Sequence, residues 1–279
     1  MKFKYLIVAF SIIIVIVILV IILLPLIFAS QAGIESAANL RFITLPLIIF
    51  MAFLLVGMGI YFFFNYRLLS LLEREDWPAL AYYLEQKIYG KGQYSVKNVR
   101  LLASSYLVIT DYQSVLKLES KVMLNKPSVV GQNILLFGSA RVLSGNHKEA
   151  IAFFKTNLDR NKGKLKANEE QWVRWFYGFS QLLSGAFKAA EPEFTPLAIS
   201  SQDALVTGLA AYFLSTSIAK HSENQSECLA AAESGRIRVA NALKNFPGWK
   251  KEVDKMSSDI HIAIIRKYID ETGRWVFGG

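Results

Sequence analysis

The sequence predicts an all-α membrane protein, with two transmembrane helices over 1–66 followed by a stack of helical hairpins over 67–279 that closes with a C-terminal capping helix. Three observations carry that expectation. Hydrophobic residues make up 53% of the 279 residues and charged residues only 19%, and the mean hydropathy is +0.32, which an average soluble domain does not reach. The apolar surplus lies at one end, because no charge stands between Lys4 and Glu35 or between Arg41 and Arg67. Beyond Arg67 the apolar residues recur at three- and four-residue spacing, without the alternation of a half-buried strand, and short polar breaks return at nearly constant intervals. An aromatic content of 13% excludes a disordered chain. The single cysteine, Cys228, excludes an intramolecular disulfide framework.

The first element is an apolar run over 6–28, broken only by Ser11 and Pro25. As a helix it reaches roughly 34 Å, enough to cross a hydrocarbon core of ~30 Å. A second run, 42–64, is interrupted by Thr44, Pro46, Gly57 and Gly59 but by no charge, and a short connector over 29–41 makes the pair a tight hairpin. A cleaved signal peptide is the rival reading of the first run, since residues 1–5 are basic and Ser30-Gln31-Ala32 offers small residues. The run is longer than the ~7–15 residues of a signal's apolar core. Lys2 and Lys4 before the first span, and Arg67 and Arg74 after the second, outweigh the lone Arg41 in the connector, which also carries Glu35. That bias places both termini, and the domain 67–279, on the cytoplasmic side of a bacterial inner or plasma membrane. An outward-facing domain is the alternative.

Most of the +9 net charge falls on 67–279, which suits a domain held against an anionic leaflet. The densest basic stretch, 160–166, has no motif for reading bases or phosphates, so it is expected to be a solvated loop, and nucleic acid is not an expected partner.

Within 67–279 the polar breaks Glu75-Asp76-Trp77, Thr110-Asp111-Tyr112, Gly145-Asn146-His147 and Gly185-Ala186-Phe187 begin 35, 35 and 40 residues apart. A period of that length means stacked helical hairpins. Asp76, Asp111 and Asn146 each precede a helical stretch, where a side-chain oxygen can accept from an orphan backbone N–H. Glu149 is placed for a capping box with Asn146, and Pro78 falls in a first turn, where a missing N–H does little harm. Past 200, Asp203 is expected to cap a helix over 204–220 paired with one over 227–245, a degenerate unit spanning 203–246. After Phe246-Pro247-Gly248 a last helix over 249–271 places Val253, Met256, Ile260, Ile264 and Tyr268 on one face, as a terminal cap requires. No linker separates the membrane run from the repeats, so the second span is expected to continue as the first repeat helix.

These hairpins resemble the tetratricopeptide repeat. Seven residues before each turn the close-packing place holds Leu68, Ala103, Gly138 and Gly178. After the turn the small-residue place holds Leu80, Val115, Ala150 and Ala190, and the aromatic place beyond it holds Leu84, Glu119, Phe154 and Phe194. Tyr106 takes the family's tyrosine place, and Pro127 falls where the family closes a repeat. Glu119 at an aromatic place, Arg67 at an apolar one, and Pro192 inside a second helix depart from the pattern, and Pro192 is expected to kink or break its helix. The resemblance covers about half the chain, 67–200. It implies a concave groove lined by the first helices, which would present Lys97, Arg100, Ser104 and Leu107, then Gln132, Leu135, Ser139 and Val142, then Trp172, Trp175, Phe179 and Leu182. Such a wall is basic at one end and aromatic at the other. Packing between repeats is the alternative role for the aromatics.

Chemistry is sparse. One cysteine and three histidines, at 147, 221 and 261, form no recognisable nucleophile–base pair, and the sequence has neither a phosphate-binding loop nor zinc-ligand spacing. No charged residue lies within either span to mark a transport path. The sequence therefore leads to a non-enzymatic scaffold without metal or cofactor. It would be anchored in the lipid bilayer and dock a protein or peptide partner at Lys97, Arg100, Ser104, Gln132, Ser139, Trp172, Trp175 and Phe179. A homo-oligomer or a larger membrane complex, of the secretion or flagellar-motor collar type by analogy, is compatible with that reading. A membrane-bound assembly chaperone and an enzyme with an unrecognised site are the alternatives.

Overall fold

A computed structural model describes residues 12–20, 23, 36–257 and 259–278, and every secondary-structure element among them is helical. The chain divides into two compact units, Met1–Tyr83 and Leu84–Gly279.

In the first unit, residues 12–20 are helical, and the rest of the expected span 6–28 lies outside the described residues apart from position 23. Helix α1 (Ser36–Glu73) contains the second expected span whole. It begins inside the stretch expected to be a connector, because Ser36-Ala37-Ala38-Asn39-Leu40-Arg41 holds no helix breaker, and it passes through Pro46. Its portion Ile49–Glu73 is long and apolar enough to cross a membrane, and its apolar 18-residue window contains no buried residue. Phe53, Phe63 and Phe64 stand exposed along it, a distribution water would penalise and lipid would not. One such helix is found among the described residues. It runs through Arg67 and Leu68 without a break, so the apolar run and the helix expected to open the stack are one rod.

The turn after α1 sets a pattern. Glu75, Thr110, Gly145 and Gly185, each the first residue of an expected break, all have a left-handed backbone, with φ of +54°, +60°, +76° and +79°. At each, the N–H of that residue donates to the carbonyl three back and the next N–H reaches the carbonyl five back, as in Asp111 N–H to Tyr106 O at 2.9 Å and Ala186 N–H to Gln181 O at 2.9 Å. This is one helix-ending motif used four times. A side chain then starts the following helix: Asp76 accepts from Ala79 N–H at 3.1 Å, Asp111 from Ser114 N–H at 3.1 Å and Asn146 from Glu149 N–H at 3.4 Å. The fourth turn has Ala186 in that place and makes no such bond. The capping box at Asn146 does not close, because the Asn146 N–H is already taken by the Arg141 carbonyl.

Helix α2 (Trp77–Glu85) runs into a π-helical turn, Gln86–Gly90, and is followed by α3 (Val96–Val108) and α4 (Tyr112–Asn125). Pro127 opens a short helix, α5 (Pro127–Gly131), ahead of α6 (Ile134–Leu143) and α7 (His147–Arg160). Then come α8 (Ala167–Leu183) with α9 (Phe187–Ser200), and α10 (Ala204–Phe213) with α11 (Gln225–Leu243). Helix α10 is prolonged by a π-turn, Leu214–Ile218, and a 3₁₀ turn, Ala219–His221, which together fill the expected span 204–220. Within the second unit each helix packs on its hairpin partner and on the next hairpin: α3 on α4 and α6, α6 on α7 and α8, α8 on α9 and α10, α9 on α11. Helix α9 runs unbroken through Pro192 and Pro196, so the expected break does not occur. The carbonyls that the two prolines leave without an N–H are those of Lys188 and Pro192, both exposed residues, where water can take the place of the missing donors.

Small residues set the closeness of the hairpins. A Cβ added to Gly138 on α6 would lie 2.0 Å from Cζ of Phe154 on α7, and one on Gly178 of α8 would lie 3.3 Å from the Phe194 ring of α9. Ala150, Ala190, Phe154 and Phe194 are fully buried. Glu119, which stands where Phe154 stands in the next hairpin, is also buried and forms an ion pair with Arg141 Nη1 at 2.5 Å. The Arg141 guanidinium also donates to the Phe137 carbonyl at 3.1 Å and sits 4.3 Å from the Phe153 ring centre. Burial pushes the Glu119 carboxyl above the usual carboxylate range, and Arg141 pulls it part of the way back.

The expected single helix 249–271 is three helices instead: α12 (Phe246–Lys255), α13 (Ile260–Ile264) and α14 (Arg266–Phe277). Ser257 and Asp259, poor residues for a helix interior, fall at the first break. The break rotates the chain. Among the described residues between 254 and 271, those buried are His261, Ile262, Ile265 and Ile269, in place of the expected Met256, Ile260, Ile264 and Tyr268, which are half-buried.

Candidate partner-binding wall

The α3 end of the expected wall is open. Lys97 is exposed and joins no ion pair among the described residues. Arg100, one turn further on, is exposed too, but its guanidinium is held across to the next hairpin: Nε donates to Asn133 Oδ1 at 3.3 Å and Nη2 to the Gln132 carbonyl at 3.2 Å. Asn133 is in turn fixed by donating from Nδ2 to the Val129 carbonyl at 2.8 Å. These bonds draw Arg100 and Gln132 together. Gln132 lies between α5 and α6, outside either helix, and its exposed side chain donates to the Ser128 carbonyl at 3.4 Å. Ser104 is half-buried, as are Leu135 and Leu182, whereas Leu107 and Val142 are buried.

The other end is closed. Ser139 and Trp175 are fully buried, and Trp172 and Phe179 are exposed by only 2% and 3%, so none of the four is available to a partner in this conformation. Their cover includes the chain's own C-terminal segment. The His261 ring lies 5.1 Å from Trp172 and 6.2 Å from Phe176, and the Tyr268 ring lies 5.3 Å from Phe179, while α13 packs on α6 and α14 on α10. Trp172 has a further structural duty. Its Nε1 donates at 3.0 Å to Oδ2 of Asp203, whose Oδ1 accepts from Leu205 and Val206 N–H at the start of α10. The aromatic anchors expected on the wall therefore pack between helices, and the expected docking roles of Ser139, Trp172, Trp175 and Phe179 are corrected by their burial.

Burial holds the His261 imidazole down at about 4, with Asp259 pulling the other way, so at neutral pH the ring is an uncharged member of this aromatic layer. Closure leaves some polar side-chain atoms without hydrogen-bond partners, among them Ser139 Oγ, Trp175 Nε1 and His261 Nε2. The apolar stripe of 249–271 does not reveal this cover, because it places one straight helix at the end of the stack. The signal that does point to it is the pair His261-Ile262, set one position off that stripe.

The basic stretch 160–166 begins at the last residue of α7 and turns there, with Gly163 at φ +71°. Arg160 and Lys164 border a recess of about 410 Å³ shared with Ser128, Gln132, Asn157 and Glu169. Cys228 is buried, and burial pushes its thiol up to about 11, so it is not a thiolate at neutral pH. Among the described residues no cluster of metal-ligating side chains occurs.

Together these features define an all-α protein with, among the described residues, one membrane-length apolar helix and a unit of packed helical hairpins. By comparison with known proteins, a family model described as "Uncharacterised Treponema protein" matches residues 114–278, and the chain belongs to that family. The match runs from the first turn of α4 to the end of α14, so it takes in the covering C-terminal helices along with the hairpins. The chain is also similar to an "Uncharacterized protein" of Treponema pallidum (strain Nichols), at 24% identity over 220 residues, covering 76% of this chain and 69% of the relative. No solved structure matches.

Proposed function

We propose that the protein is a membrane-anchored docking scaffold, a tetratricopeptide-like stack that takes an acidic segment of a partner protein on the open wall around Lys97, Arg100, Ser104 and Gln132. The observation that carries the reading is the contrast along the wall, with an exposed cation and polar groups at the α3 end and aromatics sealed by the chain's own helices at the other. The four matching turns and the Gly138–Phe154 contact support the stacked-hairpin part of the reading. Both spans cross the membrane in this proposal, with the helical unit on the cytoplasmic side. The chemistry of the wall then selects the partner, since Lys97 steers an acidic segment while Arg100, already tethered, presents its charge in a fixed place.

A photo-crosslinking residue placed in intact membranes at 97 or 132 tests this. Crosslinks to one protein of defined stoichiometry are expected from both positions, but not from 226, which lies on α11. Lys97→Glu should weaken capture at low salt more than at high salt, because a Debye length of about 10 Å at 0.1 M screens an exposed charge. Equal crosslinking from 97, 132 and 226 would reject the wall.

A further inference from the structure

A second surface of the helical unit carries a chemistry of its own. Between the π-helical turn Gln86–Gly90 and helix α4 lies a recess of about 350 Å³, at the lower end of the ~300–1,000 Å³ typical of small-ligand sites. One part of its lining is aromatic and acidic: Tyr89, Tyr94, Tyr106 and Glu85. The buried Tyr106 hydroxyl donates to Glu85 Oε1 at 2.5 Å, which fixes the carboxylate in place without neutralising it. The rest comes from α4: Ser114, Lys117 and Lys121, spaced three and four residues apart and so on one face of the helix. Lys117 and Lys121 are exposed. Among the described residues, neither lysine nor Glu85 takes part in a salt bridge. Opposite charges thus line one recess without bridging it. The wide turn Gln86–Gly90 brings Tyr89 to this lining, and π-turns inserted in α-helices are often found at functional sites.

We propose that this recess binds a small zwitterion carrying an ammonium group and a phosphate, of the phosphocholine or phosphoethanolamine class. The ammonium end faces the tyrosine rings and Glu85, where ring quadrupoles and a carboxylate both favour a cation. The phosphate end faces Lys117 and Lys121, with the Ser114 hydroxyl as a further donor. A simple cation would meet two lysines, and a simple anion would meet Glu85, so each half of the site penalises a ligand bearing only the other charge. The same chemistry exists free in solution and on lipid headgroups. The site is separate from the Lys97 wall and does not depend on it.

The test is calorimetric titration of the full-length protein, held in a maltoside detergent that carries no zwitterion, with phosphocholine. Saturable binding is expected, with choline and inorganic phosphate each at least about tenfold weaker. Glu85→Gln, which keeps an acceptor for Tyr106, and the exposed double change Lys117→Glu/Lys121→Glu should each weaken binding about tenfold or more with an unchanged unfolding midpoint. Competition by short-chain phosphatidylcholine, but not by short-chain phosphatidylglycerol, would assign the ligand to lipid headgroups. Absence of competition from either would assign it to a soluble zwitterion. Equal affinity for inorganic phosphate and phosphocholine, equal competition by the two lipids, no saturable binding, or indifference to both variants would overturn the proposal.

Discussion

Gly138 offers the sharpest test of how the hairpins pack. In Gly138→Ala the new Cβ would sit 2.0, 2.3 and 2.9 Å from three atoms of the Phe154 ring, and ordinary contact begins at 3.4 Å, so the ring must retreat by about 1.4 Å. It has nowhere to go. Phe154 is fully buried, with Phe153 at 5.7 Å and Phe176 at 6.0 Å between ring centres. Overpacking of this kind costs about 1–3 kcal/mol, and at this site the upper part of that range applies. Replacing a helical glycine by alanine returns about 1 kcal/mol of backbone entropy, leaving a net loss of about 2 kcal/mol. Gly178→Ala is the internal control. Its Cβ would approach Glu193 Cβ at 3.2 Å and the Phe194 ring at 3.3 Å, needing a shift of only a tenth or two of an ångström, so the entropy gain dominates and the variant should be neutral or slightly more stable. Thermal unfolding of the full chain in detergent, followed by circular dichroism, should show the midpoint falling by roughly 4–8 °C for Gly138→Ala and not falling for Gly178→Ala. Phe154→Leu added to Gly138→Ala should recover part of the loss, because the ring is the obstacle. Equal midpoints for the two alanine variants would refute the packing argument.

Three further outcomes follow from buried groups. Arg141→Met should destabilise by about 3 kcal/mol at neutral pH, by stranding the Glu119 charge. Because burial then raises the Glu119 carboxyl further, the protonated form is the one folding favours, so the variant's deficit should shrink as pH falls into the carboxylate range and grow as pH rises out of it, read as unfolding midpoint against pH. His261, held down at about 4 from an ordinary 6.5, works in the other sense: its contribution is complete above 6.5 and lost as pH falls towards 4, on the order of 3 kcal/mol, and His261→Phe should flatten the stability curve across that window. Cys228, buried and with its thiol near 11, should resist maleimide in the folded protein, so sidedness has to be read from an exposed position. Ser226→Cys in a Cys228→Ser background should be labelled in sealed cells only after the membrane is opened, and labelling from outside would reverse the proposed topology.

The helical class, the membrane-length run and the punctuation of the hairpins are legible in the sequence because they rest on short-range physics. A left-handed turn residue, a capping Asp or Asn and an apolar period act within a few residues, so Glu75, Thr110, Gly145 and Gly185 can be placed without knowing what they pack against. The glycine at 138 and the ring at 154 belong to the same hairpin, so their meeting is legible too. Which polar departures are tolerated and which aromatics are free depends on packing between distant segments. Glu119 at an aromatic place reads as a defect until Arg141, on another hairpin, is seen beside it. Trp172, Trp175 and Phe179 read equally well as core or as groove, since an apolar stripe says only that something covers it. Trp175 meets Phe194 and Phe213 of the helices that follow it, whereas what lies against Trp172 and Phe179 comes from far along the chain, past a break near Ser257, as His261 and Tyr268. That break is a small local preference, and its consequence is set by long-range packing. Lys97, Arg100 and Gln132, far from that break in sequence, stay exposed.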